Sequence, residues 1–269
     1  MTRRFIRLAV LALLVVGLVS GAFAAGASSS TTSPTSFADG GVDVRLGGLV
    51  FEIGADVALE FARDPDADCF DGDVLVERLA LTDYVGDPVY EAVYETPVDA
   101  NVWLGRIALR DADGLPLPPG AYQLEVTTGV GSFAVEIEIV DATGFGALGR
   151  SSAAASVCGL SLRVYRLVTE ADGGAHLAMR VGDRLLVALE GNPTTGYEWS
   201  NAALYEYAVL RESAKREFRS DSDLVGSGGV FLFRYEAVDV GPQAFRFVYQ
   251  RPWESVQPLG VLEFTVDVY

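Results

Sequence analysis

The chain has 269 residues, half of them hydrophobic and 21% charged, with a formal net charge of −17. It is too apolar to stay unfolded and long enough for one or two domains with buried cores. So acidic a chain repels phosphate backbones, which sets nucleic acid aside as a partner. One histidine (His176) and two cysteines (Cys69 and Cys158) set aside most zinc sites and any Ser-His-Asp system. No motif in the chain calls for a cofactor or a metal, and none announces an enzyme.

Residues 1–24 read as a secretory signal peptide. Arg3, Arg4 and Arg7 precede an almost wholly apolar run from Leu8 to Val19, and Ala22-Phe23-Ala24 offers a small-x-small cleavage site. The run is short for a membrane span, and no later stretch is long and apolar enough to be one. The expected mature protein is secreted, extracellular or periplasmic, with no membrane attachment after cleavage. In an oxidising compartment Cys69 and Cys158 could form one disulfide or remain two thiols, and sequence does not report their separation.

Residues 25–40 are mostly small and polar and read as a disordered leader. Residues 41–141 read as an acidic β-sandwich. Segments 42–46, 57–61, 89–94 and 133–139 mix apolar and polar residues over strand lengths, mostly in alternation. The stretch LPLPPGAYQLEVT (115–127) places a Pro-Pro-Gly turn before a strand with Tyr122, Leu124 and Val126 on one face. It resembles a hairpin of bacterial immunoglobulin-like or fibronectin-like modules. The loop from Asp64 to Asp73 carries alternating carboxylates. It fails the EF-hand pattern, because Cys69 stands where glycine is needed and Leu75 where the bidentate glutamate belongs. It reads as a solvated acidic loop, and Trp103 as a core residue. The first block has a role, and any partner of its own, that its residues do not identify. Most of the acidity lies before residue 159: 22 Asp or Glu against 6 Arg in 25–158.

A small-residue stretch, 142–158, separates this block from a second predicted β-sandwich at 159–269. Its alternating segments are 162–168, 177–180, 184–189, 230–237, 244–249 and 261–268. The predicted fold is thus all-β, two immunoglobulin-like sandwich domains in tandem. Three loops of unusual chemistry interrupt the second block. Asn192-Pro193-Thr194-Thr195-Gly196-Tyr197 combines a fixed proline dihedral, two stiff β-branched residues and a glycine free to take positive φ. Gly226-Ser227-Gly228-Gly229 permits close backbone approach. Arg251-Pro252-Trp253-Glu254 sets an aromatic beside an arginine on a rigid turn. Trp199, at the return from the first loop into a strand, reads as support from within, and His176 as a surface residue.

In this order and at these spacings, the three loops make the second block resemble the chagasin family of cysteine-protease inhibitors. Arg180-Val-Gly-Asp-Arg-Leu185 before the first loop, Val230-Phe-Leu-Phe-Arg-Tyr235 after the second and the closing strand 262–268 agree with it. The resemblance implies a wedge of three loops entering the cleft of a papain-like cysteine protease. Residues 192–197 would sit over the catalytic cysteine, 226–229 toward the non-primed side and Trp253 on the primed side. Residues 159–269 carry every family motif and are expected to fold and inhibit alone. A second reading, from the tandem sandwiches, is an extracellular adhesion or scaffold protein.

Overall fold

In the computed structural model, the described residues are 44–63, 73–111, 113–141, 155–157, 160–203, 208–222 and 224–269, with backbone alone for 44–48 and 155–157. The signal peptide, the leader, Cys69, Cys158, residues 64–72 of the acidic loop and residues 142–154 lie outside them. Among the described residues, regular structure consists of strands and two short 3-10 turns.

Three sheets build the fold. The first joins β1 (Val44–Glu52), β3 (Leu75–Asp83), β4 (Pro88–Asp99), β6 (Gly120–Thr128) and β7 (Gly131–Val140) in the order β1-β7-β6-β3-β4. The second joins β10 (His176–Met179), β12 (Glu198–Asn201), β15 (Gly241–Gln250) and β16 (Gly260–Val268) in the order β10-β16-β15-β12. The third draws on both halves of the chain. It takes β2 (Asp56–Arg63) and β5 (Leu104–Ala108) from the first, and β9 (Leu160–Val168), β11 (Arg184–Gly191), β13 (Leu210–Ser220) and β14 (Gly229–Ala237) from the second. Its order is β13-β14-β11-β9-β2-β5, with β8 (Ala155–Val157) on β9. The join is the antiparallel pair β2–β9, eight residues long from Asp56↔Leu167 to Arg63↔Leu160. Backbone pairing therefore runs across the small-residue stretch that separates the two sequence blocks.

Register explains how one sheet serves two cores. The Leu59↔Val164 pairing puts Val57, Leu59 and Phe61 on the same face as Leu160, Leu162 and Val164. These pack with Leu79, Leu124, Val135 and Trp103. The parallel β9–β11 pairing keeps Val168, Leu185 and Val187 on that face, with Phe233 of β14 beside them. There they meet Phe245, Phe247 and Phe264 of the four-stranded sheet. Phe245 and Phe264 stack with centroids 4.9 Å apart.

The opposite face of the shared sheet is buried as well. Ala58, Tyr165, Leu167, Leu186, Ala188 and Leu232 form a third apolar cluster on it. Beside them Glu60 and Arg234 are only 5% and 6% exposed. In a flat sheet the strands carrying these two, three spacings apart, would be separated by about 14 Å, and β13 and β2 by about 19 Å. Yet Arg234 donates to both Glu60 oxygens at 2.7 and 2.6 Å, and Arg219 of β13 reaches Glu60 at 3.0 Å. The sheet therefore curls, bringing β13 and β14 toward β2, and this ion network bridges them.

Glu217 completes the network, accepting from Arg234 at 2.7 Å and from Arg219 at 2.7 Å. Burial pushes its carboxyl up, but the hydrogen bonds and charges of Arg219 and Arg234 outweigh this and hold it below its ordinary 4.5. A depressed carboxyl adds stability that is complete above the unfolded value and is lost as pH falls through the folded one. Melting temperatures of the native chain and Glu217→Gln should thus differ most at neutral pH and converge in acid, below about pH 4. A gap that persists undiminished at pH 3 would remove Glu217 from the network.

Candidate functional site

The three loops leave the second half of the molecule at one end because their flanking strands are paired there. Gly191 of β11 faces Gly229 of β14, and Glu198 of β12 faces Gln250 of β15. The first loop follows β11, the second joins β13 to β14, and the third joins β15 to β16.

The first loop folds as a 3-10 turn over Pro193–Thr195 with Asn192 as its cap. Asn192 Oδ1 accepts from the Thr194 amide at 3.0 Å and from Thr194 Oγ1 at 2.6 Å, while Thr195 Oγ1 donates to the Asn192 carbonyl at 2.6 Å. The cap satisfies amides that so short a turn would otherwise leave open. Proline at the first position needs no donor there. Gly196 ends the turn at φ 83°. A Cβ at this residue would lie 2.8 Å from the Trp253 ring, so both conformation and space require glycine.

Each loop is tied to the first. Asn192 Nδ2 donates to the Gly226 carbonyl at 2.8 Å, joining the first and second. Arg251 Nε donates to the Thr195 carbonyl at 3.2 Å, and its guanidinium lies 4.6 Å from the centre of the Tyr197 ring. Arg251 also pairs with Glu254 at 2.8 Å, and this hydrogen bond raises its pKa further above the ordinary arginine value. Arginine thus braces two loops at once and keeps its charge. In the second loop the close approach is at Gly229, where a Cβ would fall 2.1 Å from the Arg219 carbonyl oxygen.

Below the loops sits an aromatic floor. Trp199, 4% exposed, stacks on Tyr249 with centroids 5.2 Å apart and donates from Nε1 to the Glu190 carbonyl at 2.8 Å. Tyr249 OH accepts from the Asn192 amide at 2.9 Å. Above it, Trp253 is 70% exposed, Val225 fully exposed, and Leu224, Val256 and Leu259 stand largely in solvent.

All thirteen predicted loop residues therefore lie in one hydrogen-bonded edge. Two kinds of contributor were not legible in the sequence. Tyr249 lies inside an ordinary strand pattern. Leu224 and Val225 precede the Gly-rich run, where two adjacent aliphatics in a polar loop were the available signal. Glu254, the last residue of the third loop, is where the sequence places it, and the structure adds its pairing with Arg251. Trp103 is buried and donates to Tyr94 OH at 3.0 Å. His176 is exposed, bonded to Thr265 and Asp267. Among the described residues no group of three or more His, Cys, Asp or Glu stands close enough to hold a metal ion. The edge offers aromatic and aliphatic side chains on loops held by their own hydrogen bonds.

Comparison with known proteins places this edge in a family. The sequence profile described as Chagasin family peptidase inhibitor I42 matches residues 178–268, which span all three loops. Chagasin of Trypanosoma cruzi is 34% identical over 94 residues, 32% of this chain and 81% of that protein. Amoebiasin-2 of Entamoeba histolytica is 26% identical over 115 residues, 42% of this chain and 94% of its own. Among solved structures, a cysteine protease inhibitor from E. histolytica shares 27% identity over 38% of this chain and 94% of that one, with a TM-score of 0.34. The chain belongs to the chagasin family of peptidase inhibitors.

Proposed function

We propose that this protein is a reversible, competitive inhibitor of papain-like cysteine proteases, and that its three cross-linked loops fill the active-site cleft. The observation that carries this reading is the tied edge itself, in a chain of the chagasin family: Asn192 and Arg251 hold three loops as one unit with Trp253 projecting from it. The 3-10 turn at Pro193–Thr195 caps the catalytic cysteine, Gly226 to Gly229 lie toward the non-primed side, and Trp253 packs on the primed side. A protease acts on an extended substrate whose carbonyl reaches the thiolate and the oxyanion donors. A turn closed by its own hydrogen bonds occupies that place without presenting such a carbonyl. Its rigidity in the free protein limits the entropy lost on docking.

Two outcomes test this. Inhibition of papain should be competitive with a peptide substrate and absent against trypsin, and the inhibitor should be recovered uncut after long incubation. Stoichiometric cleavage between Thr194 and Gly196, seen by mass spectrometry, would mean a substrate-like mechanism. Asn192→Ala removes both the cap and the tie to Gly226. Losses of about 1 kcal/mol for a cap and about 1 for a hydrogen bond should lower the melting temperature by about 4–8 °C and, because the turn and its tie to the second loop are both loosened, raise the inhibition constant roughly tenfold or more.

The basic, apolar and A-x-A features of residues 1–24 support export, with action outside the producing cell's cytoplasm. N-terminal sequencing of the secreted protein should begin at Ala25.

A further inference from the structure

Arg219 is the penultimate residue of β13, directly below the second loop, and it grips the other half of the molecule. Its Nη2 donates to Glu60 of β2 at 3.0 Å, and its Nη1 to the carbonyl of Val102, just before β5, at 3.4 Å. Glu60 is in turn fixed by Arg234, so the grip is on a rigid partner. We propose that the first block positions the second loop of the inhibitory edge, with Arg219 and Glu60 as the positioning residues. This rests on the inhibitory reading given above and extends it to residues 41–141.

The mechanics follow from the hairpin. Among the described strands β13 is an edge strand paired with β14 alone, and its register slips twice, between Glu212 and Ala214 and between Ala214 and Glu217. A strand so weakly held on one side can swing. Its tip is internally stiff. Asp221 N donates to the Gly228 carbonyl at 3.0 Å, Ser220 and Ser227 hydroxyls meet at 2.6 Å, and Ser227 N donates to the Leu224 carbonyl at 3.2 Å. The tip therefore moves as one piece with the end of β13, carrying exposed Leu224 and Val225 with it. Arg216 ties the middle of β13 to Glu198 and to the Trp199 carbonyl of β12; nearer the tip, its place is fixed by Asn192 from the first loop and, through Arg219, by the first block. The distance from Val225 to Trp253 across the edge is then set in part by residues that touch no peptidase.

The test uses the full chain and Arg219→Gln, which leaves the Arg234–Glu60 and Arg234–Glu217 bonds in place. In the free protein, amide hydrogen exchange at Asp221 and Ser227 should quicken about tenfold or more, while exchange at Phe245 in β15 stays unchanged. Against papain the variant should dissociate roughly tenfold faster. Val225→Ala should cost less in this background than in the native one, whereas Trp253→Ala should cost the same factor in both. Arg219→Lys, which can still reach Glu60, should recover part of the affinity, and Glu60→Gln should act in the same direction as Arg219→Gln. Unchanged exchange at the tip, or strictly multiplicative effects with Val225→Ala, would overturn the proposal. If the native chain fails to inhibit papain, the inhibitory reading falls, and the exchange measurement still decides the clasp.

Discussion

Trp253→Ala should weaken binding to papain by about 2–4 kcal/mol, roughly 30- to 1000-fold in Kd. The indole is 70% exposed in the free protein and lies against Gly196, so it projects from the first loop's closing residue as a preformed anchor. Exposed aromatics on rigid turns are the residues that become interface hot spots, because a partner buries them at small entropic cost. The loss is one of packing, so it should appear chiefly in the dissociation rate and persist at high salt. Melting temperature should change little. Trp199→Ala is the control from the buried side. Removing an indole that is 4% exposed, stacked on Tyr249 and bonded to Glu190 should cost about 3–5 kcal/mol of stability as well as affinity. Should Trp253→Ala melt the fold while the surviving folded fraction binds normally, Trp253 is structural and its placement on the primed side is wrong.

Residues 159–269 taken alone should be markedly less stable than the full chain. Every family motif lies there, and sequence alone makes the piece look self-sufficient. The structure changes that expectation. Cutting before 159 strips β2 from β9 along eight paired residues and takes Glu60 from Arg234. Arg234 is 6% exposed; burial lowers its pKa, but the carboxylates of Glu60 and Glu217 raise it above the ordinary arginine value. Removing one partner of a buried ion pair costs about 3–5 kcal/mol. Tyr165, Leu167 and Leu186 on the same face would also gain solvent. For a domain of this size that is a fall in melting temperature of at least about 12 °C. Equal melting temperatures for the piece and the full chain would show that the shared sheet adds nothing.

The contrast shows which features a single sequence makes visible. The three loops were legible because their chemistry is local: a capping Asn, a Pro, positive-φ glycines and an Arg-Pro-Trp turn each act within a few residues. The strands with one buried face, such as β6, β15 and β16, were legible by alternation. β13 was not, for its sequence LRESAKREFRS shows no apolar alternation. Its inward residues include Glu217 and Arg219, whose partners Arg234 and Glu60 lie up to 159 residues away. Glu60 itself stands in VALEF, where alternation sends it to solvent, and only the curl of the shared sheet turns it inward. The join between halves was hidden for the same reason. The small-residue stretch 142–158 has the composition of a linker, while the pairing of β2 with β9 depends on residues about a hundred positions apart.

The proposed function places the loop edge in the cleft of a papain-like protease. It is tested by measuring binding of the full chain to two forms of papain: the active enzyme, and enzyme whose catalytic cysteine carries a peptidyl group that fills the cleft. Tight binding to the first and loss of at least about a thousandfold with the second is the expected result. Equal affinity for both forms would rule out occupation of the cleft and move the contact to another face of the protein.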